Sequence, residues 1–98
     1  MIGLDFEWDE NKNISNQKKH DGVTFEEAKT VFADELARLI PDPDHSVGEE
    51  RFILMGLSSR LKLLLVSHCE VNSEIIRIIS ARKADKSERK QYEGYGYA

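Results

Sequence analysis

The feature that most constrains this sequence is a series of three apolar segments in its second half, separated by very short connections. The segments run over residues 51–57, 61–68 and 74–80, with connections at 58–60 and 71–73. Branched apolar side chains favour strands, and connections of about three residues join antiparallel neighbours. We therefore predict that these segments form an antiparallel meander.

The first half of the chain predicts one short strand followed by two helices. Residues 4–8 alternate apolar and acidic side chains, which is the pattern of a strand with one buried face. Asp9 is placed to cap a helix that reaches about Lys19, because its carboxylate can accept a free amide of the first turn. Thr24 and Glu27 have the capping-box spacing that begins a second helix.

A further strand and a last helix complete the predicted order. The strand covers residues 36–40 and ends where Pro41 removes an amide donor. The helix covers residues 84–92 and begins with the capping-box spacing between Asp85 and Glu88. The predicted order is β-α-α-β-β-β-β-α, an α+β fold in which an antiparallel sheet packs against helices.

Length and composition limit the class of protein. A chain of 98 residues supports one hydrophobic core, so we predict a single domain over residues 1–98, with 93–98 as a flexible tail. At 40% hydrophobic and 33% charged residues, the chain is expected to fold. It has no apolar run that would cross a membrane and no segment resembling a signal peptide, so we expect a cytoplasmic location. The single Cys69 is expected to be a reduced thiol that is at least half-buried.

The charge is distributed unevenly along the chain. The net charge is -4, yet residues 1–50 contain five Lys or Arg against thirteen Asp or Glu, whereas residues 51–98 contain nine against five. The basic half coincides with the predicted meander, and phosphate binding needs local cations rather than a positive total. The alternative is that ordinary helices and strands simply expose solvated charged faces.

Arginines within the meander are the candidate binding residues. Arg77 lies between pairs of isoleucines, so its side chain must reach an uncovered sheet face or be paired. Arg82 follows the same strand, while Arg51 and Arg60 lie at the start and at the turn of the preceding hairpin. Four guanidinium groups converging on one face would suit bidentate contact with phosphate oxygens. The alternative is that Arg77 forms a structural cross-strand pair with one of three acidic residues, Glu50, Glu70 or Glu74.

The three histidines have both functional and structural interpretations. His68 ends an apolar strand and His45 lies on a loop, and either imidazole could transfer protons near neutral pH. A solitary histidine in a strand, such as His68, is more often a packed structural residue, and His45 can equally stabilise its turn. His20 lies two residues before Gly22, where it can cap the end of the first helix. The sequence has no metal-ligand spacing, Gly-rich phosphate loop or nucleophile elbow, so neither a metal nor a cofactor is expected.

Taken in chain order, these motifs resemble the BrnT family of RelE-like toxins. The most specific segment is Ile-Arg-Ile-Ile-Ser-Ala-Arg at residues 76–82, and the resemblance covers nearly the whole chain. The other segments that carry it are 6–9, 13–20, 24–28, 31–32, 44–46, 48–52, Gly56, 63–66 and 83–84.

The resemblance implies a RelE-like fold and a metal-independent ribonuclease that stops translation. Cleavage without a metal would use the ribose 2'-hydroxyl as the nucleophile on the adjacent phosphate. The resemblance also implies a BrnA-like antitoxin that binds the toxin in a hetero-oligomer and gives a DNA-binding complex. On this interpretation we expect Arg77 and Arg82 to stabilise phosphate charge. Proton transfer is expected from His45, His68 or Glu50, and RNA binding from Arg51, Arg60, Lys83 and Tyr92.

A competing interpretation is a non-catalytic binding module. In that case the basic sheet face would dock an acidic protein partner. Direct DNA binding by this chain alone is less favoured, because the basic residues of the last helix are balanced by Asp85 and Glu88.

Overall fold

A computed structural model of the chain, which describes residues 4–42 and 50–96, contains a five-stranded sheet and three α-helices. The order of these elements is the predicted β-α-α-β-β-β-β-α, which confirms the α+β fold class. A short 3-10 helix, Thr30–Ala33, continues the second α-helix. The elements are β1 (Asp5–Glu7), α1 (Glu10–Lys19), α2 (Phe25–Lys29), β2 (Arg38–Pro41), β3 (Phe52–Leu57), β4 (Leu63–Asn72), β5 (Ile75–Lys83) and α3 (Lys86–Gly96).

The sheet has the strand order β1-β5-β4-β3-β2. The predicted meander is confirmed, because β3, β4 and β5 pair antiparallel in succession, and β2 pairs antiparallel to β3. β1 departs from the predicted antiparallel sheet: it pairs parallel to β5, with Asp5 opposite Ile75. No short turn joins β1 to β5, so the local sequence does not impose an antiparallel direction.

Side-chain caps begin the first two helices where the sequence predicts them. The Asp9 carboxylate accepts the amide of Asn11 at 2.8 Å, and the Thr24 hydroxyl accepts the amide of Glu27 at 3.0 Å. The Glu27 carboxylate is directed elsewhere: it is buried and accepts the Ser58 hydroxyl at 2.6 Å. This acidic residue therefore ties α2 to the β3–β4 turn.

The main core lies between the sheet and the helical layer formed by α1 and α2. The predicted apolar side of the second helix is confirmed, since Phe25, Ala28 and Val31 are all buried there. Leu64 and Val66 of β4 belong to the same cluster. Full burial of a large apolar side chain contributes about 1.5–3 kcal/mol, so this cluster is a principal source of stability.

The opposite side of the sheet, which we call the α3 face, is partly covered by the last helix. Leu63 and Leu65 form a second buried cluster there with Tyr92 of α3. A complete capping box begins this helix, because Asp85 Oδ1 accepts the amide of Glu88 at 2.8 Å and Glu88 Oε1 accepts the amide of Asp85 at 2.9 Å. The side chains of Asp85 and Glu88 therefore account for the predicted start of this helix.

Three elements extend beyond the ends that the sequence predicts. β5 runs to Lys83, so Arg82 lies within this strand instead of following it. β4 runs to Asn72, so the turn falls at Ser73 and Glu74 instead of starting at residue 71. The Asn72 side chain accepts the amides of Glu74 and Ile75, and this local hydrogen bonding places the turn. α3 runs to Gly96, into the predicted tail, because each residue added to an established helix gains a backbone hydrogen bond.

The outer edge of β5 is shared between β1 and α1. β1 pairs only with residues 75–77, and beyond them the Asn16 side chain of α1 takes the place of a strand. Its amide group donates to the Ala81 carbonyl at 2.8 Å, and its oxygen accepts the Ala81 amide at 3.0 Å. The same side chain donates to the Val23 carbonyl at 3.0 Å and is only 4% exposed. A polar helix is thus fixed to the sheet by a buried amide.

His68 is buried beside the main core. It is 3% exposed, its ring centroid lies 4.9 Å from that of Phe32, and Nδ1 lies 3.2 Å from the Val66 carbonyl oxygen. Burial lowers the pKa of His68, and the Val66 carbonyl and the charge of Glu70 offset this only in part. At pH 7 the imidazole is neutral, with Nδ1–H donating to the carbonyl.

Replacement of Asn16 by alanine is expected to destabilise the protein strongly. The backbone groups of Ala81 and the Val23 carbonyl would lose buried partners, and each such loss costs about 1–3 kcal/mol. We expect the free energy of unfolding, measured by urea denaturation, to fall by about 3 kcal/mol. Lys18→Ala, at an exposed position of the same helix, should change it by less than about 0.5 kcal/mol. Equal losses in the two variants would contradict the role of Asn16.

Replacement of His68 by phenylalanine is expected to remove part of the pH dependence of stability. The pKa of His68 is lower in the folded than in the unfolded chain, so the unfolded chain binds more protons as the solution is acidified. The contribution of His68 is therefore complete above its ordinary pKa of 6.5 and decreases as the pH falls below that value. Between about pH 7.5 and about pH 5.5, the unfolding free energy of the wild type should decrease more than that of His68→Phe. The same decrease in both proteins would refute the assignment.

Candidate functional site

Two arginines of β5 share the α3 face. Arg82 lies opposite Leu65, which belongs to the buried cluster under α3. Arg77 lies opposite Cys69, and Cys69 follows His68, whose ring contacts the helical layer. Since neighbouring residues of a strand point to opposite faces, Arg77 and Cys69 point to the α3 face. Both arginines are exposed.

Two more arginines belong to the same face through β2 and β3. Arg38 lies opposite Met55, a residue of the cluster under α3. Arg51 precedes Phe52, whose ring approaches His68 at the helical layer, so alternation directs Arg51 to the α3 face. Sequence reasoning missed Arg38, although the two-residue alternation of its strand was a usable signal. We call the surface formed by Arg38, Arg51, Arg77 and Arg82 the arginine face.

Arg82 forms a bidentate ion pair with the last helix. Its Nη1 and Nη2 atoms donate to Oε1 and Oε2 of Glu88 at 2.9 and 2.8 Å. The hydrogen bonds from Arg82 lower the pKa of Glu88, against the opposing effect of burial. The Arg82 side chain is still 44% exposed, so it both anchors the first turn of α3 and remains accessible.

Arg77 pairs with Glu7, a partner that sequence reasoning did not consider. Its Nε donates to Oε2 of Glu7 at 2.7 Å. The parallel register of β1 on β5 places these two residues opposite each other. Both side chains are more than two-fifths exposed, and exposed ion pairs contribute only about 0.2–1 kcal/mol. The carboxylate of Glu7 is therefore only a weak competitor for a phosphate group at this guanidinium.

Arg60 and Lys83 lie away from the arginine face. Arg60 is exposed in the β3–β4 turn, where its amide donates to the Ser58 hydroxyl. Lys83 lies opposite Leu64 of the main core, and its Nζ donates to Asp21 at 2.8 Å on the helical side. Of the four guanidinium groups expected to converge, three share one face, whereas that of Arg60 belongs to a turn.

Tyr92 belongs to α3, and its side chain packs against the sheet. It is 8% exposed, and its hydroxyl donates to Oδ2 of Asp34 at 2.6 Å. The same oxygen accepts the Leu57 amide at 2.8 Å. Burial raises the pKa of Asp34, but these hydrogen bonds, together with that from the Leu36 amide, outweigh burial and lower the pKa overall. Tyr92 therefore anchors α3 to the segment before β2, and its ring is placed for packing rather than for stacking on a nucleotide.

The three proton-transfer candidates differ in accessibility. His68 is buried and neutral, which keeps its ring away from a molecule bound at the surface. Glu50 is exposed and directly precedes Arg51 of the arginine face. His45 lies outside the described residues.

The described part of the chain can also be considered for a reactive thiol, a metal site and a membrane-spanning helix. Cys69 is a buried free thiol, which confirms that expectation. Among residues 4–42 and 50–96, no group of three or more His, Cys, Asp or Glu side chains is arranged to hold a metal ion. Within those same ranges, no helix has the length and apolar character needed to span a membrane.

A groove lies between α1 and an irregular part of β5. The pairing of β5 with β4 shifts here, since Ser67 lies opposite Ser80 while His68 lies opposite Ile78, which leaves Ile79 as an extra residue. Sequence reasoning did not identify this groove, because the approach of α1 to β5 depends on a contact between distant parts of the chain. Its volume is about 240 Å³, and its described lining residues are Lys12, Ser15, Asn16, Lys19, His20, Ile79 and Ser80.

Comparison with known proteins agrees with the fold. The sequence model of a family described as the ribonuclease toxin BrnT of type II toxin–antitoxin systems matches residues 8–88. A comparison with curated proteins gives no match. Among solved structures, the Brucella abortus ribonuclease toxin BrnT is similar, with 25% sequence identity and a TM-score of 0.66, over 85% of this chain and 99% of that one. The chain therefore belongs to the BrnT family of ribonuclease toxins of type II toxin–antitoxin systems.

Proposed function

We propose that this chain is a metal-independent endoribonuclease that binds RNA on its arginine face. The observation that carries the proposal is the placement of Arg51, Arg77 and Arg82 on one sheet face of a chain whose net charge is -4. Planar guanidinium groups suit the oxygens of phosphate. Membership in a family of ribonuclease toxins supports RNA as the polymer that is bound.

In the proposed reaction, the ribose 2'-hydroxyl attacks the adjacent phosphorus. A bond forms between O2' and phosphorus, and the bond from phosphorus to the 5'-oxygen of the next nucleotide breaks. A base accepts the 2'-hydroxyl proton, and an acid protonates the departing 5'-oxygen. Arg77 and Arg82 stabilise the charge that builds on the other phosphate oxygens. Glu50 and His45 are the proton-transfer candidates, since the burial of His68 makes it unsuitable for this role.

The proposed role of the chain in the cell follows from its membership in a type II toxin–antitoxin family. Cleavage of RNA in the cytoplasm would stop translation. The family belongs to type II toxin–antitoxin systems, in which a protein antitoxin is the partner. We propose that a BrnA-like antitoxin neutralises this chain in a hetero-oligomer that binds DNA. Acidic side chains of the antitoxin suit the arginine face, because Arg77 and Arg82 already bind carboxylates.

Those two ion pairs also favour a second candidate function. A non-catalytic module could use the same face to dock an acidic protein partner, with antitoxin carboxylates replacing Glu7 and Glu88. Such a module would need affinity but no cleavage. The discriminating measurement is therefore the appearance of new RNA ends.

Replacement of Arg82 by alanine is expected to abolish RNA cleavage. Loss of one hydrogen-bond donor to the transition state lowers rates by roughly 100- to 1,000-fold. Induced expression in a bacterium without the antitoxin should produce new RNA 5' ends with the wild type and none with Arg82→Ala. Lys29→Ala is the matched control, because it removes one positive charge from an exposed position in the helical layer. This control should cleave like the wild type.

A wild-type protein that leaves RNA intact would contradict the proposal. Unchanged RNA and normal growth, from wild-type protein that is well expressed and folded, would overturn the ribonuclease proposal and favour the docking module. Because Arg82 also anchors α3, the unfolding free energy of Arg82→Ala is measured in parallel. If Arg82→Ala is folded but does not cleave RNA, Arg82 is needed for the reaction and not only for folding.

Replacement of Glu88 by glutamine is expected to strengthen RNA binding. The change removes the charge that competes with phosphate for Arg82, while the glutamine carbonyl can still accept the Asp85 amide. Ion pairs of this kind contribute about 0.2–1 kcal/mol, so we expect up to about fivefold tighter binding of a non-cleavable RNA. Glu93→Gln, an exposed position on the same helix, controls for the change in net charge. Unchanged or weaker binding by Glu88→Gln alone would argue against this competition.

A further inference from the structure

The groove between α1 and β5 lies at the outer edge of β5, near two residues of the arginine face. Along β5, its lining residues Ile79 and Ser80 lie between Arg77 and Arg82. Ser80 is two residues from Arg82, so strand alternation directs both side chains to the α3 face. Ser80 therefore belongs both to the groove and to the sheet face that carries the two arginines.

The α1 wall of this groove is cationic. Lys12 and Lys19 both line it and are exposed. They are seven residues apart, which is about 10 Å along a helix axis. None of the described lining residues is acidic, although the chain as a whole has a net charge of -4. Two separated point charges offer successive contacts to an extended polyanion.

The other lining groups suit a sugar and a base. Ser15 and Ser80 carry hydroxyls that donate or accept hydrogen bonds, while His20 offers a planar ring and Ile79 an apolar side chain. Asn16 lies at the back, held by three hydrogen bonds to buried backbone groups. The groove is therefore preformed, because the residue that sets the distance between its two walls is fixed.

The size of the groove favours part of a chain over a whole small molecule. Its volume is about 240 Å³. Pockets that enclose a drug-sized ligand are usually larger, roughly 300–1,000 Å³. A strand passing through the groove would place one nucleotide in it while the neighbouring phosphates contact the surface on either side.

We infer that this groove is a nucleotide-binding subsite for the RNA strand that crosses the arginine face. Lys12 and Lys19 contact the phosphates, and His20 and Ile79 contact the ribose or base. The inference rests on the proposed ribonuclease function, and it adds the path of the substrate, which runs along α1 beside β5. The two lysines bind RNA in this assignment and take no part in proton transfer.

The test compares two double variants that remove the same charge. Lys12→Ala/Lys19→Ala changes the groove, whereas Lys18→Ala/Lys29→Ala changes exposed lysines that do not line it. The probe is a fluorescein-labelled single-stranded RNA with 2'-O-methyl riboses, which has no nucleophile and is not cleaved. Affinity is measured by fluorescence anisotropy over a range of salt concentrations.

The groove variant is expected to bind this RNA on the order of tenfold more weakly than the wild type. The slope of log K against log salt should decrease in magnitude by about 1.4, since each lost single-strand phosphate contact contributes about 0.7. The control variant should keep both its affinity and most of its slope. This combination would support the subsite.

Three other outcomes would overturn it, and they are distinguishable. Equal binding by the two double variants, with RNA cleavage by the wild type, rejects the subsite but leaves the ribonuclease proposal intact. Weaker binding of the antitoxin with unchanged RNA binding identifies the groove as a protein contact instead. Absence of both RNA binding and new RNA ends with the wild type rejects the subsite and the proposed function together.

Discussion

The position of α1 against the sheet depends on buried amide side chains, above all that of Asn16. Asn16 satisfies both backbone groups of Ala81 as a neighbouring strand would, and so lets α1 continue along the edge that β1 leaves. Few apolar residues of α1 are available for packing, so polar contacts must hold it. Buried Asn13 adds to this by accepting the amide of Phe25 at 2.9 Å, which joins α1 to the start of α2. The groove, the helical layer and the accessible part of β5 all take their positions from these two asparagines.

The last helix is held at both ends, and its anchors define the border of the arginine face. Near its start, Glu88 binds Arg82 of β5 through two hydrogen bonds. Further along, Tyr92 reaches Asp34 in the segment before β2. Between these points the helix covers the apolar cluster of β3 and β4, and the exposed Arg77 lies on the same face beyond that cluster. Arg82 thus belongs both to the framework and to the surface, which connects the stability of α3 with occupancy of the proposed site.

Local rules predicted much of this structure because they concern neighbours in the chain. Short connections predicted the meander that carries Arg51, Arg77 and Arg82, and capping patterns marked where the helices begin. Arg77 and Arg82 are five residues apart, so regular alternation would direct them to opposite faces, and the extra residue Ile79 is what brings them to the same face. Contacts between distant segments could not be predicted in the same way. The pair between Arg77 and Glu7 joins residues 70 positions apart and depends on the parallel register of β1. The extra residue at Ile79, and with it the groove, depends on how β5 aligns with β4. For the same reason the burial of His68 could not be read from its position at the end of an apolar run.

The pairing of both edges of β5 also affects the tendency of the protein to aggregate. A strand rich in isoleucine with an unpaired edge is a template onto which other chains can add their backbones. In the described part of the sheet, β5 lies inside, with β4 on one side and β1 and then Asn16 on the other. The outermost strands are short, since β1 spans three residues and β2 spans four and ends at Pro41. A polar helix therefore shields an isoleucine-rich strand, and a toxin molecule separated from its antitoxin keeps that protection within its own chain.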